Sequence, residues 1–150
     1  MTKSIQHTLF FPHTPEVVWE YLTTAELLAQ WLMPNDFQPI VGCDFQFRSK
    51  PKEELGFDGI SYCKVLEIVP PKRLSYSWKA GPGNGQITLD SIVVWTLTAK
   101  DNGTELSLVH SGFKEIENFA IYQGMSAGWP IHVKKIGELI NAAKHGSTIA

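Results

Sequence analysis

The stretch GWPIHVKKIGELINAA, Gly128 to Ala143, decides how this chain folds. Trp129, Val133, Ile136, Ile140 and Ala143 recur at alternating steps of four and three, which puts them on one face of a helix. A helix with one apolar face must cover something. The long stretch before it alternates apolar and polar residues in the manner of strands, so its natural partner is a sheet. Two arrangements satisfy the pattern: a sheet packed tightly on the helix, or a sheet curled around it with a pocket between.

Working outward, Leu106, Leu108 and His110 share one side of the strand preceding the helix, and Asp101-Asn102-Gly103 is a hairpin signal. Before that turn Ile87, Leu89, Val93, Trp95 and Leu97 line one face of a long strand. Gly81 to Gly85 reads as a turn, with Leu74, Tyr76 and Trp78 on the strand leading into it. Pro70-Pro71 closes a further strand carrying Ile60, Tyr62, Leu66 and Ile68, whose other face gains apolar character from Cys63 and Val65. Cys43, Phe45 and Phe47 oppose Asp44, Gln46 and Arg48 on another strand, and the charged segment Ser49 to Asp58 is a flexible connection. At the start of the chain Ile5, His7, Leu9 and Phe11 alternate up to Pro12. Thr14-Pro15-Glu16 then supplies a hydroxyl cap, a proline at the first helical position and an acid near the positive end of the helix dipole. A second short helix is expected from Ala25 to Leu32. Strand, two short helices, hairpin-linked strands and a long terminal helix together describe an α+β fold with an antiparallel sheet, in a single domain over residues 1–150.

Composition narrows the function. A chain of 150 residues buries roughly 70% of its unfolded surface, enough for a sizeable core. Net charge is -2 and Arg48 and Arg73 are the only arginines, which argues against a nucleic-acid partner. No apolar run reaches the ~20 residues of a membrane span, and Met1 to Gln6 has no signal-peptide character, so membrane insertion is not expected and a cytoplasmic location is. Cys43 and Cys63 lack C-x-x-C spacing, and a disulfide between them is not expected in a reducing compartment.

Catalytic and metal motifs are missing. His7, His13, His110, His132 and His145 are scattered with no H-x-x-x-H pair, so neither a metal site nor a cofactor is indicated. Gly81 to Gly85 lies between strands, without the strand-to-helix setting of a phosphate loop. Lys50, Lys52, Glu53 and Glu54 mix signs and read as a solvated loop. His110 shares a side with Leu106 and Leu108 and therefore needs a buried partner, or else anchors a ligand. With 5 Trp, 4 Tyr and 8 Phe, the sheet face opposite the helix can form an aromatic cavity wall with indole and hydroxyl donors. Phe45, Tyr62, Tyr76, Trp78, Trp95, His110, Trp129 and His132 are the expected lining residues.

Several segments, in this order, are similar to one family: Pro15-Glu16-Val17-Val18-Trp19, Trp31, Val65 to Leu74 with Pro70-Pro71-Lys72-Arg73-Leu74, Val94-Trp95, Gly103-Thr104-Glu105-Leu106, His110-Ser111-Gly112-Phe113 and Gly128-Trp129. The chain resembles, from about Ile5 to Ala143, the stand-alone bacterial proteins related to the C-terminal domain of the activator of the heat-shock protein 90 ATPase. That group lies within the START-like (SRPBCC) helix-grip superfamily. The resemblance implies a curved antiparallel sheet gripping the terminal helix around a hydrophobic cavity for lipid-like or polyketide- and flavonoid-like ligands. It also implies two alternatives, a chaperone-interaction module of the stress response that stimulates an ATPase, and a cyclase or dehydratase using the same cavity. It carries over no catalytic residue. Pro130 fits if the helix begins near Ser126, and predicts a kink if the helix begins much earlier.

Overall fold

The computed structural model describes residues 2–149, and the side chains of residues 2–143. Ten elements follow one another: β1 (Thr2–Phe11), α1 (Pro15–Thr23), α2 (Ala25–Trp31), β2 (Asp44–Arg48), a short 3₁₀ turn (Glu53–Leu55), β3 (Ile60–Val69), β4 (Arg73–Ala80), β5 (Leu89–Lys100), β6 (Gly103–Lys114) and α3 (Phe119–Ile149). All six strands form one antiparallel sheet in the order β1-β6-β5-β4-β3-β2. The sheet is curved and open, and with the long terminal helix it forms the expected helix-grip α+β fold.

Local chemistry explains the elements. The Thr14 hydroxyl accepts from the Val17 amide and Pro15 occupies the first helical turn, as the sequence predicts for α1. Asp101 and Asn102 both take left-handed backbone angles, φ 49° and 61°, the geometry that closes a two-residue hairpin between β5 and β6. In β6, Gly112 is an extra residue opposite β1: Lys3 pairs with Phe113 while Ser4 pairs with Ser111. This bulge reverses the alternation, so His110 and Phe113 both point into the core. Gly112 has φ 108°, and a Cβ there would lie 2.8 Å from the Asp90 carbonyl oxygen, so only glycine fits.

Four expectations need correcting. The inward face of β3 is Ser61, Cys63 and Val65, so Tyr62 faces away from the core. Directly paired residues share a face, and Cys63 pairs with both Phe45 and Trp78, which are buried. Leu66 is a bulge residue without a β4 partner, so Ile68 returns to the inward face beside Leu74 and the two halves of β3 have opposite parity. Ile87 precedes β5 and is exposed. Helix α3 begins at Phe119, well before Gly128, and Ala143 at the end of the apolar stripe is exposed. The segment from Ser49 to Asp58 is not merely a connection; it holds the 3₁₀ turn and one wall of a cavity.

Pro130 sits inside α3 and cannot donate to the Ser126 carbonyl one turn back. His7 of β1 takes that role: its Nε2 donates to the freed Ser126 oxygen at 3.1 Å. The helix break is thus satisfied from the sheet. Beyond it α3 packs closely on β1, where a Cβ at Gly137 would lie 3.0 Å from the Phe11 ring. Before it, Gly124 meets nothing within 4 Å, and Gly128 meets only the His132 ring at 4.0 Å.

Candidate functional site

Between the first half of α3, the inner ends of β3, β4 and β5, and the 49–57 segment lies a cavity of about 500 Å³. Apolar side chains make most of its wall: Leu32 and Met33 after α2, Leu55 and Phe57, Trp78, Leu89, and Ile121, Met125 and Trp129 of α3. Gly124 and Gly128 leave the helix side of the space unfilled, while Lys50 and Lys52 stand at the mouth and are exposed.

Of the expected lining residues, Trp78, Trp129 and His132 meet at this cavity. Phe45, Tyr76, Trp95 and His110 are buried behind its wall. Phe45 packs edge-on to Phe37, Phe47 and Tyr76, and Trp95 packs edge-on to Trp31 and Trp129. Tyr62 lies outside, donating to Asp58 at 3.0 Å, and with Phe45 borders a separate depression of about 350 Å³ that includes Asp36 and Asp44. Burial and the Asp58 carboxylate both push the Tyr62 hydroxyl up from its ordinary range. Sequence reasoning missed Met33, Leu55, Phe57, Ile121 and Met125; the side chains are apolar, but they sit in loops and on a helix turn whose approach to the sheet no periodicity reveals.

Around His110 the hydrogen bonds form one directed chain. The indole N–H of Trp129 donates to His110 Nδ1 at 3.1 Å, so His110 is the tautomer protonated at Nε2. That nitrogen donates to Ser91 Oγ at 2.8 Å, and the Ser91 hydroxyl donates to the Trp78 carbonyl at 2.7 Å. Each proton has one place to go. Burial pushes the His110 imidazole down to about 3, and protonation of Nδ1 would also break the bond from Trp129. His110 is therefore a neutral strut that holds Trp129 in the cavity wall. Trp95 is anchored likewise, its N–H donating to the Tyr76 oxygen at 2.9 Å, with the buried Tyr76 phenol pushed far up.

His132 differs. Its Nδ1 donates to the Trp31 carbonyl at 3.2 Å, and its Nε2 has no protein partner among the described residues. No three His, Cys, Asp or Glu side chains cluster as metal ligands among the described residues; His145 lies beyond the described side chains. Cys43 and Cys63 are free thiols, and burial pushes the Cys63 thiol up, which makes it a poor nucleophile. No described helix is long and apolar enough to cross a membrane.

Residues 12–141 match the family model described as Activator of Hsp90 ATPase homolog 1-like protein. The chain belongs to this family. Within the Activator of Hsp90 ATPase homolog 1-like group, similarity is high to the solved structure of protein MLL2253 from Mesorhizobium loti: 33% identity over 93% of this chain and 98% of that one, with a TM-score of 0.82. The Aha1 dimer from Colwellia psychrerythraea shares the fold at 21% identity, covering 91% and 94% of the two chains with a TM-score of 0.71. DynU16, a protein of the dynemicin biosynthetic locus, shares it at 21% identity and a TM-score of 0.72 over 93% of this chain and 48% of its own length. No match was found among curated proteins.

Proposed function

We propose that the protein binds a small apolar or aromatic molecule, of lipid-like or polyketide- and flavonoid-like character, in the cavity beneath the first half of α3. One observation carries this reading: a space of about 500 Å³ walled mainly by apolar side chains, within the 300–1,000 Å³ typical of small-molecule sites. Apolar burial supplies the affinity and the few polar groups orient the ligand. A screen of hydrophobic compounds by backbone chemical shifts tests it. Shifts at Met33, Phe57, Trp78, Met125, Trp129 and His132 are expected; a screen that moves none of them defeats the reading.

The family description supports a second reading, stimulation of a chaperone ATPase. Chaperone ATPase turnover with and without the protein decides that one, and an unchanged rate removes it. The geometry favours neither a cyclase nor a dehydratase working through His110, because both ring nitrogens are engaged and the ring lies behind the wall.

A further inference from the structure

We propose that the cavity's ligand is an apolar carboxylic acid, its carboxylate held at the mouth by Lys50 and Lys52 and a neutral acceptor oxygen along its body held inside by Ser61 and Trp78. This rests on the cavity reading above and adds the chemistry of the ligand.

The charged lining is of one sign. Lys50 and Lys52 border the space and no Asp or Glu does. Glu53 and Glu54 follow immediately in the chain but do not line it, and among the described residues neither lysine forms an ion pair. Two cations at the rim of an apolar space attract an anion, and they repel an amine.

Inside, two donors are unspent. The Ser61 hydroxyl and the Trp78 indole N–H make no hydrogen bond among the described residues, although their residues are only 2% and 3% exposed. An unpaired polar group shut away from solvent is costly, and no fully enclosed side-chain nitrogen or oxygen lacks a partner among the described residues. Both groups therefore retain access to the space they line. They contrast with the Trp31, Trp95 and Trp129 indoles, which all donate to protein oxygens or nitrogens. Two neutral donors suit a carbonyl, ether or hydroxyl oxygen. An anion placed there would be desolvated without a cation beside it, so the carboxylate belongs with the lysines.

Dodecanoate, dodecanol and dodecylammonium, titrated calorimetrically at low salt, test the charge. The acid is expected to bind about five- to tenfold tighter than the alcohol and the amine weakest, with the preference shrinking in 0.5 M salt. In the Lys50→Met/Lys52→Met variant acid and alcohol should converge. Equal binding of all three at the cavity overturns the acid assignment and leaves the cavity reading intact. If none of the three, and no compound in the wider screen, moves a cavity resonance, the cavity reading itself fails. A series of oxododecanoates with the ketone at successive carbons tests the interior donors: one position should gain severalfold over dodecanoate, and Trp78→Phe or Ser61→Ala should erase that gain. A series in which no position gains overturns the interior half of the proposal.

Discussion

The two halves of α3 treat the same sheet differently. After Pro130 the helix lies close on β1, with Gly137 against the Phe11 ring and Val133, Ile136 and Ile140 buried. Before Pro130 it stands away, Gly124 and Gly128 face space, and a cavity opens beneath them. Trp129 marks the boundary, with one side against the Trp95 and Trp78 rings and the other on the cavity. The difference teaches that a packed core and a binding cavity share one helix, and that the packed half, together with the His110 network, holds the open half apart.

The largest effect should come from breaking the packed side. Trp95→Ala removes a side chain that is wholly buried and leaves the Tyr76 hydroxyl without its donor, and should cost about 3–5 kcal/mol in urea unfolding. Met125→Ala on the cavity side, where the side chain is half-buried, should cost under about 1 kcal/mol and change ligand affinity instead.

His110 offers a pH lever on the same contrast. Its folded value of about 3 lies below the ordinary 6.5, so between these values the unfolded chain binds one more proton. Its contribution is fully present above about pH 6.5 and is lost as pH falls toward 3, with a slope approaching ~1.4 kcal/mol per unit. His110→Gln should flatten the stability profile in that window; an unchanged slope would show that burial does not hold the ring neutral.

Glycines sharpen the comparison next. Gly124→Ala should raise stability by about 0.5–1 kcal/mol, because the helix gains and nothing is met. Gly137→Ala carries the same helix gain but presses on Phe11, and should fall below Gly124→Ala by about 1–3 kcal/mol. Equal unfolding midpoints would mean that the packed half is looser than it looks.

A similarly small effect lies at the junction. His7→Ala should cost about 1 kcal/mol by removing the donor to the Ser126 carbonyl, and less in a Pro130→Ala background, where the helix supplies its own N–H. A double-mutant cycle measures that coupling, and additive costs would deny His7 this role.

Much of the fold was legible along the chain. Alternation located the strands, Thr14-Pro15 the first helix, Asp101-Asn102 the hairpin, and the four-three stripe the helix that covers the sheet. Strand faces were legible only where no bulge intervened: one skipped residue at Leu66 turned Tyr62 outward, and another at Gly112 turned Phe113 inward. Of the cavity, Trp78, Trp129 and His132 stood in periodic segments and were found, while Met33, Leu55, Phe57 and Lys52 lay in connections.

What the sequence determined by itself was which residues are apolar and at what period, because helix and strand repeats are properties of the local backbone. Whether an inward aromatic became core or cavity wall was decided by the tertiary structure. Phe45, Tyr76, Trp95 and His110 point the same way as Trp78, and what covers each separates them: Phe37 lies on Phe45, Trp31 and Trp129 on Trp95, and Phe113 and Trp129 on His110. Helix α3 itself is held on the sheet by Gly137 against Phe11, by His7 bridging the break at Pro130, and by the His110 strut behind Trp129, contacts between residues far apart in the chain that no local period encodes.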